Sequence, residues 1–302
     1  MKVRRLRLRL RLRNEGRLLP WLGMALRGLT AQHFKDSVCV HPPDVRQTLW
    51  RRCHGCPEMA ACPYGPLYEP DLPPDRQARK GCESVIRPLA LAPFFPIAGH
   101  AVGGREVPVS LTVVGEQGGR VEALLEALRE AGASSGLGEG VRFDLLRDEE
   151  ERGELRPCDL PATADALPGV LPRVGVGLTA PLFLKAGGRV LREPPELADI
   201  VRSAVGAVLD LMAMYGEAVR VDIRGLVDAA RGGRLVDHCF EPFEQGRQAT
   251  RSERSYEMYG IQGGGVWEDV PMALLPWLVW GGRLHVGEYR VAGAGGWRIV
   301  LD

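Results

Sequence analysis

Residues 5–13 alternate without a break: Arg5, Arg7, Arg9, Arg11 and Arg13 in one phase, Leu6, Leu8, Leu10 and Leu12 in the other. A period of two predicts a half-buried strand with its leucines packed inward and its guanidinium groups projecting together. Asn14-Glu15-Gly16 is a turn signal. From Leu18 to about Ser37 the spacing of Leu22, Leu26 and Leu29 then predicts a helix, with Pro20 near its first turn. Residues 39–82 carry no clean periodicity and are rich in cysteine and proline. Ile86–Leu91 and Val107–Val114 read as strands, Val121–Ala131 as an amphipathic helix, and Val141–Leu146 as a short strand. Setting the cysteine-rich stretch aside, the order is β-α-β-β-α-β, that of the ferredoxin-like unit.

The charged, proline-rich run from Asp148 to Pro172 reads as an interdomain linker. Beyond it Arg173–Leu184 alternates and pairs plausibly with Arg189–Leu191. Leu197–Tyr215 reads as a long helix, 234–262 and 283–301 as strands, and Val270–Trp280 as a short helix. A chain of 302 residues, 45% apolar, exceeds the usual single domain and can bury a core in each half. The expected organisation is α+β: residues 1–150 form a ferredoxin-like domain with a cysteine-rich insert at about 39–82, and residues 170–302 form a second α+β domain.

Charge changes this picture more than composition does. The net charge is +1, yet the first 35 residues hold ten Lys or Arg against one acid, Glu15, so the remainder is net acidic. Such an uneven distribution points to a local polyanion contact. Five like charges on one strand face repel, the strand itself carries no acids to relieve them, and a phosphate backbone would. No apolar run approaches the length that spans a bilayer, and the N-terminal residues lack the features of a signal peptide. A cytoplasmic protein with no membrane partner is expected.

Four of the seven cysteines lie within residues 39–62, spaced Cys39-x13-Cys53-x2-Cys56-x5-Cys62. A Cys-x2-Cys pair places two thiolates on one tight turn, the reach tetrahedral coordination needs, and two more cysteines close the shell. A closed shell is structural. Zinc is the metal expected, an iron–sulfur cluster is the rival, and Cys82, His41 or His54 could replace Cys39 as fourth ligand. Of the six histidines, His33 follows the arginine strand on the first predicted helix, with Lys35 beside it. RNA cleavage without a catalytic metal needs a general base, a general acid and a cation for charge gathering on phosphorus. The tail from His285 to Trp297 is glycine-rich, and Gly293 and Gly295 would allow close backbone approach and N–H contacts to phosphate. There is no dinucleotide fingerprint, Walker loop, Gly-x-Ser-x-Gly elbow or His-Glu-x-x-His helix.

Several segments together resemble one family, the CRISPR-associated endoribonucleases of the RAMP superfamily that cut precursor CRISPR RNA within its repeats (the Cas "six" family). These are the arginine strand with Leu26-Arg27-Gly28; Cys53-x2-Cys56-x5-Cys62-Pro63-Tyr64 with Leu67-Tyr68-Glu69-Pro70; and the Leu124–Leu137 segment with Gly136-Leu137-Gly138. Thr179-Ala-Pro-Leu-Phe-Leu-Lys185, Arg251-Ser252-Glu253-Arg254 and the closing His285-x-Gly…Gly293-x-Gly295 complete the series. Glu288 stands where the family usually has Lys or Arg, and Ser255 where Gln is common.

The resemblance implies two tandem ferredoxin-like (RRM-like) domains. It also implies metal-independent cleavage of repeat RNA to a 2′,3′-cyclic phosphate, with a histidine from the first helix region. On this sequence that histidine matches His33, with Lys35 as the nearby cation and His41 and His285 as competitors. RNA contact falls to Arg5, Arg7, Arg9, Arg11, Arg27, Arg251, Arg254, His285, Gly293 and Gly295, and the structural metal to Cys39, Cys53, Cys56 and Cys62. Implied partners are CRISPR repeat RNA or its processed product and other effector subunits. The alternative reading is a non-catalytic RAMP subunit that holds guide RNA in an effector complex.

Overall fold

The computed structural model describes residues 1–48, 53–59, 61–71, 85–97, 99–138, 140–186, 188–248 and 255–301. The chain forms two compact units, Met1–Leu155 with Asp210–Ala218, and Arg156–Leu209 with Val219–Asp302. Among the described residues no helix is long and apolar enough to cross a membrane.

The first unit contains β1 (Lys2–Leu12), α1 (Gly23–Val38), β2 (Leu89–Pro93), β3 (Glu106–Val114), α2 (Arg120–Ser134) and β4 (Phe143–Glu154). Its sheet is antiparallel with the order β2-β3-β1-β4, the ferredoxin-like arrangement. The period-two pattern of β1 sets that architecture. Leu6, Leu8, Leu10 and Leu12 are at most 1% exposed, as are Leu26 and Phe34 of α1 and Leu124 and Leu128 of α2. Each such side chain contributes roughly 1.5–3 kcal/mol over leaving it in water. Where α2 crosses β4, Gly132 is required by space: a Cβ there would run into the ring and carbonyl of Phe143.

The acidic stretch after residue 147 is not a linker. It continues β4 to Glu154, paired with β1 along its length. The register slips once, between Leu6 and Leu8, where Arg7 faces two residues, Asp148 and Glu149, in a β-bulge. On the Phe143 side of the bulge, Leu145 pairs with Leu10 toward the helices; beyond it Glu150 pairs with Leu6, so the phase has changed. Asp148 and Glu149 consequently lie side by side on the face opposite the helices.

The second unit contains β5 (Val170–Leu178), most of α3 (Leu197–Tyr215), α4 (Ile223–Ala230), β6 (Arg234–His238), β7 (Glu241–Gln248), β8 (Ser255–Gln262), β9 (Gly264–Pro271), α5 (Leu275–Leu284) and β10 (Trp297–Leu301). The sheet order β6-β9-β5-β10 repeats that of the first unit, all antiparallel. β7 and β8 form a separate two-stranded hairpin between the second and third strands of that sheet. α4 carries apolar residues at helical spacing, Ile223, Leu226, Val227 and Ala230, and the Asp222 side chain caps it, accepting from Gly225 N at 2.9 Å. Lys185–Ala186 pairs antiparallel with Arg189–Val190, while β5 pairs with β9 and β10. Of the stretch 283–301 only Trp297–Leu301 is a strand.

Candidate functional site

Val174 and Val176 of β5 are buried, so Arg173, Gly175 and Gly177 occupy the outer face of the second sheet. Arg173 Nε lies 3.2 Å from Glu268 of β9, which also pairs with Arg234 of β6, and the next strand contributes Arg298 opposite Gly177. The outer face of the first sheet differs. Four of its five arginines are met by carboxylates from the two strands flanking β1. Arg7 reaches Glu149 at 2.9 Å, Arg9 reaches Asp148 and Glu106 each at 2.6 Å, Arg11 reaches Glu106 at 3.0 Å, and Arg13 pairs with Asp144. Arg5 stands in register with Glu151. Relief of the like charges therefore comes across strands rather than along β1, and a phosphate binding here would have to displace a carboxylate. Hydrogen bonds from Arg11 and Arg9 hold the Glu106 carboxyl below its usual range, and one from Arg13 does the same to Asp144.

On the helix side, beyond the bulge, a second group forms. Glu150 accepts from Arg4 at 3.0 Å, from Arg147 at 2.5 Å and from Arg152 at 2.5 Å, while Arg147 also reaches Glu122 of α2 at 3.1 Å. The Arg4 hydrogen bond, first among these influences, brings the Glu150 carboxyl down to about 2.

His33 lies partly exposed on α1, its Nε2 2.8 Å from the Ser135 hydroxyl at the end of α2. That is the one hydrogen bond to His33 among the described residues. Lys35 does not join it. Two positions along a helix turn a side chain nearly to the opposite side, and Lys35 is 9% exposed with Nζ 5.3 Å from the centre of the Tyr64 ring. Arg27 is half-buried, and its charge is felt at the buried Tyr68 phenol. Arg251 and Arg254 lie outside the described residues.

The glycine-rich tail is closed on itself. His285 caps α5 at φ +62°, is buried, and its Nδ1 is 3.2 Å from the Ala294 carbonyl. Gly293 N donates to Arg290 O at 2.8 Å and Gly295 N to Pro181 O at 2.9 Å. Gly293 N is therefore engaged within the loop and Gly295 N by the Pro181 segment.

In the insert, Cys53 and Cys56 lie on a turn closed by Cys56 N to Cys53 O at 3.0 Å, with Gly55 at φ +74°. Burial pushes the Cys53 thiol up to about 11, Glu69 adds to the effect, and Lys35 opposes it. Cys39 follows α1, its N–H donating to Lys35 O. Tyr64 and Tyr68 stack at 5.1 Å and both face Phe34 of α1. This part of the insert thus has an apolar anchor that its composition did not announce.

A family model, the AF_1859 N-terminal domain, matches residues 1–157, just over half of the sequence. The chain belongs to the AF_1859 family. A search of curated proteins finds no match. Solved structures show what this chain is similar to in fold. A Cas6 product complex from Thermus thermophilus aligns at 15% identity over 98% of this chain and 100% of that one, with a TM-score of 0.53. A second Cas6 product complex aligns at 16% identity over 98% and 99%, TM-score 0.50. A partial Cas6-RT-Cas1–Cas2 complex aligns at 10% identity over 100% of this chain and 46% of that one, TM-score 0.54. At such identities the likeness is one of fold: two sheet-bearing halves resembling the tandem ferredoxin-like domains of Cas6.

Two further features of the chain bear on its site. Glu288, the departure noted above, is paired with Lys185 at 2.5 Å. Ser135 escaped notice because nothing in the sequence marks a residue 102 positions from His33 as its partner; only the crossing of α1 and α2 joins them.

Proposed function

We propose that this chain is an endoribonuclease that recognises CRISPR repeat RNA and cuts it without a catalytic metal. The observation that carries the reading is the tandem fold, shared over essentially the whole chain with Cas6 proteins solved as product complexes. Fold alone does not assign chemistry, so the reading also rests on His33. With Nε2 engaged by Ser135, Nδ1 is the nitrogen left to take the proton of a 2′-hydroxyl. That oxygen then attacks phosphorus, the bond to the 5′-oxygen breaks, the leaving oxygen takes a proton from water, and the products end in a 2′,3′-cyclic phosphate and a 5′-hydroxyl. Arg7, Arg9 and Arg11 are the proposed phosphate contacts, each exchanging its carboxylate for a phosphate oxygen.

The test is incubation of the purified chain with the repeat RNA of its own genome in excess EDTA, beside His33→Ala. A single cut ending in a cyclic phosphate and lost in the variant is expected. A cut that survives the substitution would move the base elsewhere.

A second reading, a non-catalytic subunit that holds guide RNA, is favoured by one observation. Lys35, the cation nearest His33 in sequence, packs against the Tyr64 ring at 5.3 Å and is 9% exposed. Tight binding with intact RNA would establish that reading in place of the first.

A further inference from the structure

The cysteines and histidines of the insert do not gather a metal site. Among the described residues no three His, Cys, Asp or Glu side chains are placed to hold an ion, although His41 Nε2 lies 3.3 Å from Cys56 Sγ. The fold does bring His33 and Ser135 together, Nε2 and the hydroxyl oxygen 2.8 Å apart. Both ends of that contact are built in. His33 stands on the turn of α1 that Thr30 and Phe34, both fully buried, fix to the core. Ser135 closes α2, its N–H donating to Ala131 O at 3.0 Å, and Gly136 turns the chain at φ +75°. A Cβ on Gly136 would come within 2.6 Å of Val141 O. Leu137 and Val141, both buried, then exchange backbone hydrogen bonds at 2.8 Å each way. The Gly136-Leu137-Gly138 element, which the proposed chemistry does not use, thus sets Ser135 against α1.

We propose that Ser135 is a positioning residue for His33. Its oxygen accepts from Nε2–H, which holds the ring in one tautomer and one orientation and leaves the lone pair of Nδ1 to take the proton of the 2′-hydroxyl. The assignment rests on the reading of His33 as the base. In a neutral imidazole one nitrogen donates and the other accepts, and the bond made by one decides the role of the other. The last side-chain torsion of histidine is broad, so a partly exposed ring without such a bond also takes orientations that do not face the substrate. Once Nδ1 has taken the proton both nitrogens are donors, and Ser135 goes on accepting without rearrangement. A carboxylate in this place would orient the ring too, but it would set a negative charge beside the phosphates. A hydroxyl does not.

The test reads tautomer and rate separately on the full chain. Nitrogen-15 NMR of the histidine side chains at about pH 8.5, well above the ordinary imidazole value of about 6.5, needs no RNA. With His33 assigned by its loss in His33→Ala, the proton is expected on Nε2. With repeat RNA in excess EDTA and saturating protein, Ser135→Ala should cut about 10-fold more slowly, the loss of one hydrogen bond, with RNA affinity unchanged. Ser135→Thr, which keeps the hydroxyl, should recover most of the rate. Near-UV circular dichroism checks that each variant is folded. A proton on Nδ1, a Ser135→Ala rate equal to that of the wild type, or no recovery in Ser135→Thr would each overturn the assignment. RNA left intact by the wild-type chain would remove the nuclease reading, and the tautomer would still decide whether Ser135 orders the ring. A cut RNA beside a proton on Nδ1 would sink the present assignment alone.

Discussion

The two units share a strand order and a buried inner face, and they part company on the other side of the sheet. In the first, the central strand presents arginines along its length, and the flanking strands answer them with Glu106, Asp144, Asp148 and Glu149. In the second, the equivalent strand presents Arg173 and then Gly175 and Gly177, with open space above Gly177. The same topology is thus compatible with a ladder of matched charge or with bare backbone. What the topology demands is the inner face, where four leucines in one unit and valines and tryptophans in the other are almost fully buried. The outer face is free to serve something else.

The strongest way to break this comparison is to act on the two sides of β1 separately. Leu8→Ala should cost about 2–5 kcal/mol in the unfolding of the first unit, whereas Arg9→Ala, which removes only solvent-screened pairs, should cost far less. Urea titration of the two variants compares them directly. Equal losses would mean that the ladder is part of what holds the unit together.

A smaller effect is expected from the group on the helix side. The Glu150 carboxyl ionises near 2 when folded, against an ordinary value of 4.5. A depressed carboxyl adds stability that is fully present above its unfolded value and is lost as pH falls through the folded one. Between about pH 4.5 and 2 the first unit should therefore weaken. Glu106 and Asp144 act in the same direction. Glu150→Gln should make the acid limb of the stability curve shallower without removing it, and an unchanged limb would show that Arg4, Arg147 and Arg152 do not favour its charge.

The smallest change in stability, and the one that sharpens the comparison most, is expected of Glu106→Gln. It removes the carboxylate shared by Arg9 and Arg11, and because solvent screens these pairs the fold should scarcely notice. If the ladder is where phosphates exchange for carboxylates, affinity for repeat RNA should rise and fall more steeply with salt. An affinity that does not move would put the footprint elsewhere.

Much of this fold was legible in the chain. The Leu/Arg alternation marks β1, the helix read at Leu197–Tyr215 has those limits in the structure, and the β-α-β-β-α-β order is that of the first sheet. The second half of β4 was not legible. Asp148-Glu-Glu-Glu has the composition of a loop, and it is a strand because β1 supplies both a ladder partner and cations. The candidate site was less legible than the fold. Helical spacing alone could have separated Lys35 from His33, but the approach of His41 to Cys56 and of Ser135 to His33 depends on how the insert and helices pack. The parts of the reading that fall on Arg251, Arg254 and Cys82 lie outside the described residues.

The bulge opposite Arg7 has a consequence for how this strand tolerates change in length. Elsewhere in β4, losing a single residue would turn every side chain beyond it to the wrong face. At Asp148 or Glu149 it would do the reverse. The ladder would become regular, Glu150 would still oppose Leu6, and the only loss would be one of two neighbouring carboxylates. Among sequences sharing this sheet, that pair of positions is where a one-residue gap can fall without disturbing either face.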